Sequence, residues 1–130
     1  FLAHLPHYTE IKSPKYGGCV VTHSGIHCGS YIRNADRTIN ITESIMNAAR
    51  RDEYRFLISP DIHNVPFADK KAFDRYVFCG HVTTNRLNED HSYNVYKTPY
   101  YMDLDCGNGE RYRGGKLACY CVDEDRVVYI

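Results

Sequence analysis

The sequence predicts an α+β fold, and three patterns lead to it. Two runs of β-branched and aromatic residues, at 19–22 and 75–79, each end in a glycine-bearing histidine turn. One helical run, around 42–50, lies between them. The last third of the chain holds short apolar or alternating segments divided by turn residues, which read as consecutive strands. Strand, mixed helix and loop, strand, then further strands describes an α+β or layered α/β arrangement with a partly antiparallel C-terminal sheet, the half of a two-sheet architecture.

Taken in order, the chain opens on an apolar stretch through Ile11 that Pro6 interrupts, and Ser13-Pro14-Lys15-Tyr16-Gly17-Gly18 reads as a turn. A short strand over 19–22 follows, then a loop over 24–36 rich in Gly, Ser, Asn and Asp. Thr42 is placed to cap a helix, with Glu43 behind it and Ile45, Met46, Ala48 and Ala49 as its apolar positions. Arg50 and Arg51 suit the negative end of the helix dipole. Phe56-Leu57-Ile58 fits a strand or a helix end before Ser59-Pro60 breaks it, and 61–71 is irregular or opens a short helix. The second buried strand, 75–79, closes in Gly80-His81; 85–91 is polar and reads as a hairpin joint. Residues 100–105 alternate, with Tyr101, Asp103 and Asp105 on one face and Tyr100, Met102 and Leu104 on the other. Two last strands, 116–122 and 127–130, flank the acidic turn Asp123-Glu124-Asp125.

At 130 residues the chain suits one domain. Sixteen basic residues balance sixteen acidic ones, so no net field draws the chain onto nucleic acid or an anionic membrane. No apolar run approaches the ~20 residues that span a bilayer, and no leader pattern is visible, so the reading is soluble and cytoplasmic. The chain starts at Phe1 inside an apolar stretch, which reads as a piece of something longer. Six cysteines would permit a disulfide framework in a secreted protein. Most lie in or beside strand-like runs, where a reduced cysteine is a small hydrophobe, and no Cys-x-x-Cys spacing occurs.

The chemistry concentrates at the two histidine turns, Val20-Val21-Thr22-His23-Ser24-Gly25 and Val77-Phe78-Cys79-Gly80-His81-Val82-Thr83. Strand ends are where α/β sheets bind ligands, and an imidazole beside a glycine can reach a metal there. Alone, either histidine is more often a hydrogen-bonded structural residue than a ligand. His27 and Cys28 follow His23 closely and could form a local site, although a loop favours exposure; His4-Leu5-Pro6-His7 looks incidental. Asp103 and Asp105 could be paired acids, but polar positions at a sheet edge or turn explain them better. The twelve tyrosines fit half-buried strand positions.

Together, His23-Ser24-Gly25 and Gly80-His81 resemble the last two metal-binding motifs of the calcineurin-like metallophosphoesterases, in their serine/threonine protein phosphatase branch. The opening Phe1-Leu2-Ala3-His4-Leu5-Pro6 resembles that family's leucine-proline segment before its first histidine turn. Tyr101-Met102-Asp103-Leu104-Asp105-Cys106-Gly107 resembles its isoleucine-aspartate-x-glycine strand, and Gly114-Gly115-Lys116-Leu117-Ala118-Cys119 its closing Gly-Gly-x-Leu strand. The likeness runs in order along residues 1–130 and implies the C-terminal half of a layered α/β/β/α metallophosphoesterase domain whose N-terminal half lies elsewhere. It implies a binuclear centre of manganese, iron or zinc that hydrolyses phosphate esters with a metal-activated water. His23 and His81 would be ligands of one ion, with Gly25 and Gly80 letting the backbone turn tightly. The implied substrates are a phosphorylated protein or a small phosphoester; a dinucleoside polyphosphate hydrolase and a non-catalytic scaffold are the alternatives.

The departures bound that expectation. The family's Asp-x-His, Gly-Asp-x-x-Asp-Arg-Gly and Gly-Asn-His motifs do not precede His23, so this chain alone should lack two-metal activity. Asp61-Ile62-His63 has the Asp-x-His spelling, but it follows His23 and comes after Pro60 instead of a buried strand, and reads as coincidence. Thr83 stands where many relatives carry a second histidine, in agreement with the phosphatase branch. The family's phosphate-binding arginine has no secure counterpart; Arg50, Arg51 and Arg55 are candidates, but a surface charge explains each of them better.

Overall fold

The structure, a computed structural model, describes residues 5–26, 28–58, 61–64 and 66–130, without the side chains of Cys28, Asp61, Phe67 and Ala68. The opening Phe1-Leu2-Ala3-His4, His27 and the Ser59-Pro60 break therefore lie outside the described residues. What is described is a mixed α+β fold with one five-stranded sheet, two two-stranded ladders and a few short helices.

Strands β1 (Tyr8–Ser13) and β2 (Gly17–Thr22) form an antiparallel hairpin. Its turn closes where the Ser13 hydroxyl accepts from the amides of Lys15 and Tyr16, each at 3.2 Å. Only an apolar stretch was legible at β1, because it is an edge strand with half-exposed positions and shows little alternation. Beyond β2 the chain passes through a 3-10 turn at Cys28–Ser30 and the short ladder of β3 (Ile32–Arg33) with β4 (Ile39–Asn40).

Helix α1 (Ile41–Arg51) buries Ile41, Ile45, Ala48 and Ala49, a stripe at helical spacing. Its cap is Asn40, whose side-chain oxygen accepts from the Glu43 amide at 3.0 Å. The sequence placed the cap at Thr42, but Thr42 lies inside the first turn and donates its hydroxyl to Asn40. The ambiguous 56–58 segment is helical, in α2 (Glu53–Ile58), and the two single-turn helices α3 (Asp61–Asn64) and α4 (Phe67–Lys70) follow.

Strand β5 (Tyr76–Cys79) lies parallel to β2, and β7 (Tyr101–Asp103) lies parallel to β5 on its other side. The edge strand β6 (Tyr96–Lys97) is antiparallel to β7, so the sheet runs β1-β2-β5-β7-β6. The 85–91 stretch is therefore not a hairpin joint. Neighbouring parallel strands need a crossover, and the chain beyond β5, including the 3-10 turn Thr84–Arg86, supplies it. The actual hairpin turns at Thr98, whose hydroxyl accepts from the Tyr100 and Tyr101 amides. Strands β8 (Ala118–Cys121) and β9 (Arg126–Tyr129) pair with each other and form a separate ladder.

Alternation along the central strands makes two cores. Val20, Val77, Cys79 and Tyr101 pack with Ile41, Ile45, Ala48, Phe56 and Ile62 of the helices. Cys19, Tyr76, Phe78 and Met102 face the other way, against Ile11, Tyr16 and Tyr120. Each fully buried large apolar side chain contributes about 1.5–3 kcal/mol, so both faces of the short central strands are anchored. Among the described side chains, Cys19, Cys79, Cys106, Cys119 and Cys121 are not paired in disulfides.

Candidate metal centre

Because β2 and β5 are parallel neighbours, their C-terminal ends open on the same edge of the sheet. His23 follows β2 directly and His81 stands two residues beyond β5. The amide of Gly80 donates to the carbonyl of His23 at 2.8 Å, joining the two turns. The imidazole centroids are 5.1 Å apart with their planes 62° to one another. An open groove of about 350 Å³ runs past both rings, with Gly80, Leu104 and Asp105 among its walls.

The two rings are held differently. His81 has φ 76°, the left-handed region that an unbranched polar residue enters at a cost. Its Nε2 lies 2.9 Å from the Ile58 carbonyl oxygen. A carbonyl can only accept, so this nitrogen carries the proton, and in the neutral ring Nδ1 holds the free lone pair. His23 is the more exposed ring. Desolvation, and then the neighbouring His81, hold it below its ordinary 6.5, against a smaller opposing pull from the Asp105 carboxylate. His23 is therefore neutral at pH 7, the form that ligates metal.

Glycine supports the site at one of the two expected positions. Gly25 has φ 94°, and a Cβ there would stand 2.6 Å from Cβ of Ile62. Gly80 needs no such freedom: a Cβ would meet nothing closer than Asp105 at 3.6 Å. The left-handed turn expected at Gly80 falls on His81 instead. Beside His23, the buried Ser24 hydroxyl donates to the Phe56 carbonyl at 2.6 Å, which ties the end of α2 to this turn.

The paired acids are divided. Asp105 lines the groove, with Oδ1 accepting from the Gly107 amide at 3.1 Å. Asp103 is fully buried on β7 between β5 and β6, so it is not a polar position at a sheet edge. Its Oδ2 lies 3.1 Å from Nε2 of His63, the residue whose Asp-x-His spelling read as coincidence. No local pattern announced that contact, since it joins α3 to a distant strand. Arg51 donates to the Gly29 carbonyl at 2.9 Å, and neither it nor Arg50 nor Arg55 lines the groove. His7 faces Glu53 at 3.5 Å and does not line the groove that holds the histidine pair. Thr83 keeps its hydroxyl buried without a hydrogen-bond partner.

No family model, curated protein or solved structure matches this chain. Among the described residues no helix is long and apolar enough to cross a membrane.

Proposed function

We propose that the chain carries the two-histidine part of the binuclear metal centre of a phosphoesterase, most like a serine/threonine protein phosphatase of the calcineurin-like type. In this reading residues 1–130 are the C-terminal part of a layered two-sheet domain. The observation that supports it is the juxtaposition of His23 and His81. Two imidazoles bound to one ion through Zn–N-type bonds have centroids roughly 4.5–5.3 Å apart for ligand angles near 90–110°. The observed 5.1 Å falls in that interval.

The donor chemistry fits a divalent ion. His23 is neutral, His81 presents Nδ1 while Nε2 stays on the Ile58 carbonyl, and Asp105 adds a negative charge to the same groove. When bound, such an ion supplies Lewis acidity toward a phosphoryl oxygen and makes water more acidic. The chain's own part is to orient both imidazoles through the His23–Gly80 backbone bond and to leave the groove open to a phosphate group. Two imidazoles do not fill the shells of two ions, so in this reading the remaining ligands come from the N-terminal half of the domain. The substrate would be a phosphorylated protein or a small phosphoester.

Turnover of phenyl phosphate by the full-length protein tests the reading. His23→Ala and His81→Ala should each lower kcat at least a hundredfold while the far-UV spectrum is retained. Undiminished turnover in either variant would overturn it, and absence of turnover in the wild-type protein would favour the scaffold alternative.

A further inference from the structure

Three ligating side chains from three elements meet on the helix-covered side of the sheet. His63 comes from α3, Cys79 from the last position of β5 and Asp103 from the last position of β7. One imidazole nitrogen, the sulfur and one carboxylate oxygen all lie within 4.8 Å of one another. The His63 side chain is 7% exposed and that of Asp103 0%. Cys79 lies in the same helix-side core.

The hydrogen bonding within this cluster is incomplete. His63 Nδ1 is 3.1 Å from the Tyr101 hydroxyl, but Nε2 has no hydrogen-bond partner, although Asp103 Oδ2 lies 3.1 Å away. When Nδ1 donates to Tyr101, Nε2 turns a lone pair toward a carboxylate oxygen, an arrangement of two acceptors that a cation relieves. Asp103 Oδ1 is taken by the Asp105 amide at 2.8 Å, which leaves Oδ2 facing His63 and the Cys79 sulfur at 4.0 Å. Ligand atoms on the edges of a zinc tetrahedron are roughly 3.3–3.8 Å apart, given bonds of about 2.0–2.3 Å. The observed 3.1 and 4.0 Å bracket that spacing.

We propose that His63, Cys79 and Asp103 form a buried mononuclear zinc site, distinct from the His23–His81 pair. A mixed nitrogen, sulfur and oxygen donor set selects zinc over magnesium or calcium, which take oxygen ligands. Tyr101 is the outer partner that orients the imidazole. A four-residue helix such as α3 has little stability of its own, and the ion would clamp it to the ends of β5 and β7. Because Cys79-Gly80-His81 is continuous, the same clamp would steady the turn that presents His81.

The test uses the chain carrying His23→Ala, His81→Ala, Cys119→Ser and Cys121→Ser, which removes the surface imidazole pair and the accessible C-terminal thiols. Cobalt(II) should bind at one equivalent with a thiolate-to-metal charge-transfer band and tetrahedral d–d absorption, and zinc should displace it and raise Tm. Cys79→Ser should abolish the band, and His63→Gln should weaken binding at least tenfold. Absence of the band in the parent chain, or its survival in Cys79→Ser, would overturn the proposal. Should either variant lose its native far-UV spectrum, X-ray absorption of the zinc-loaded parent decides. One sulfur with nitrogen and oxygen neighbours supports the site, and a sphere without sulfur, or with several, overturns it.

Discussion

The Gly80 amide donates to the His23 carbonyl oxygen at 2.8 Å, and this bond continues the β2–β5 pairing one step past the strands into both histidine turns. The spacing of the two imidazoles is thereby set by backbone and not by side-chain packing alone. The Ile58 carbonyl and the Ser24–Phe56 bond then hold the end of α2 over the same edge.

His81 should show the cost of its backbone conformation. His81→Asn keeps a residue that tolerates positive φ and loses the Ile58 hydrogen bond, about 1 kcal/mol. His81→Val loses the same bond and adds about 1–3 kcal/mol for a β-branched residue in the left-handed region. Urea denaturation of the two variants should rank Asn above Val by that margin; equal stabilities would refute backbone strain at this position.

The helix cap gives a clean contrast between two neighbouring polar residues. Asn40→Ala removes the acceptor of the Glu43 amide and should cost about 1 kcal/mol. Thr42→Ala removes only a hydroxyl that donates to Asn40, and should cost a few tenths of a kcal/mol. Chemical denaturation midpoints read the order, and a larger loss at Thr42 would return the cap to that residue.

Asp125 should govern part of the acid limb of stability. Hydrogen bonds from Lys15, Tyr120 and Lys97 hold its carboxyl well below the ordinary 3.8. As pH falls the unfolded chain takes up this proton first, so the stabilisation is complete above about pH 4 and is lost as acid titrates toward the folded value. Asp125→Asn should thus be less stable at neutral pH and flatter below pH 4, read from thermal melts across pH. A variant with the wild-type acid slope would show that these contacts have no thermodynamic weight.

Legibility in the sequence followed the range of the interactions. The central strands were readable because Val20, Val77 and Phe78 are buried β-formers beside glycine-bearing turns, and the helix because Ile45, Ala48 and Ala49 recur at its period. Strand β1 was hidden by its edge position, and the cap was displaced by two residues because Thr42 and Asn40 both suit that role chemically. The adjacency of His23 and His81 required β2 and β5 to pair in parallel, which no local pattern states. The His63–Cys79–Asp103 cluster was hidden more deeply: each member has an ordinary reading in its own segment, and only the packing of α3 against β5 and β7 unites them.

Long-range proton–nitrogen spectra of the histidine rings during a zinc titration probe the shared site most directly. His23 and His81 should shift together and saturate at the same equivalence, with Nδ1 of His81 as its coordinated nitrogen and Nε2 still protonated against Ile58. Movement of only one of the two rings, or coordination of His81 through Nε2, would rule out a single ion held by this pair.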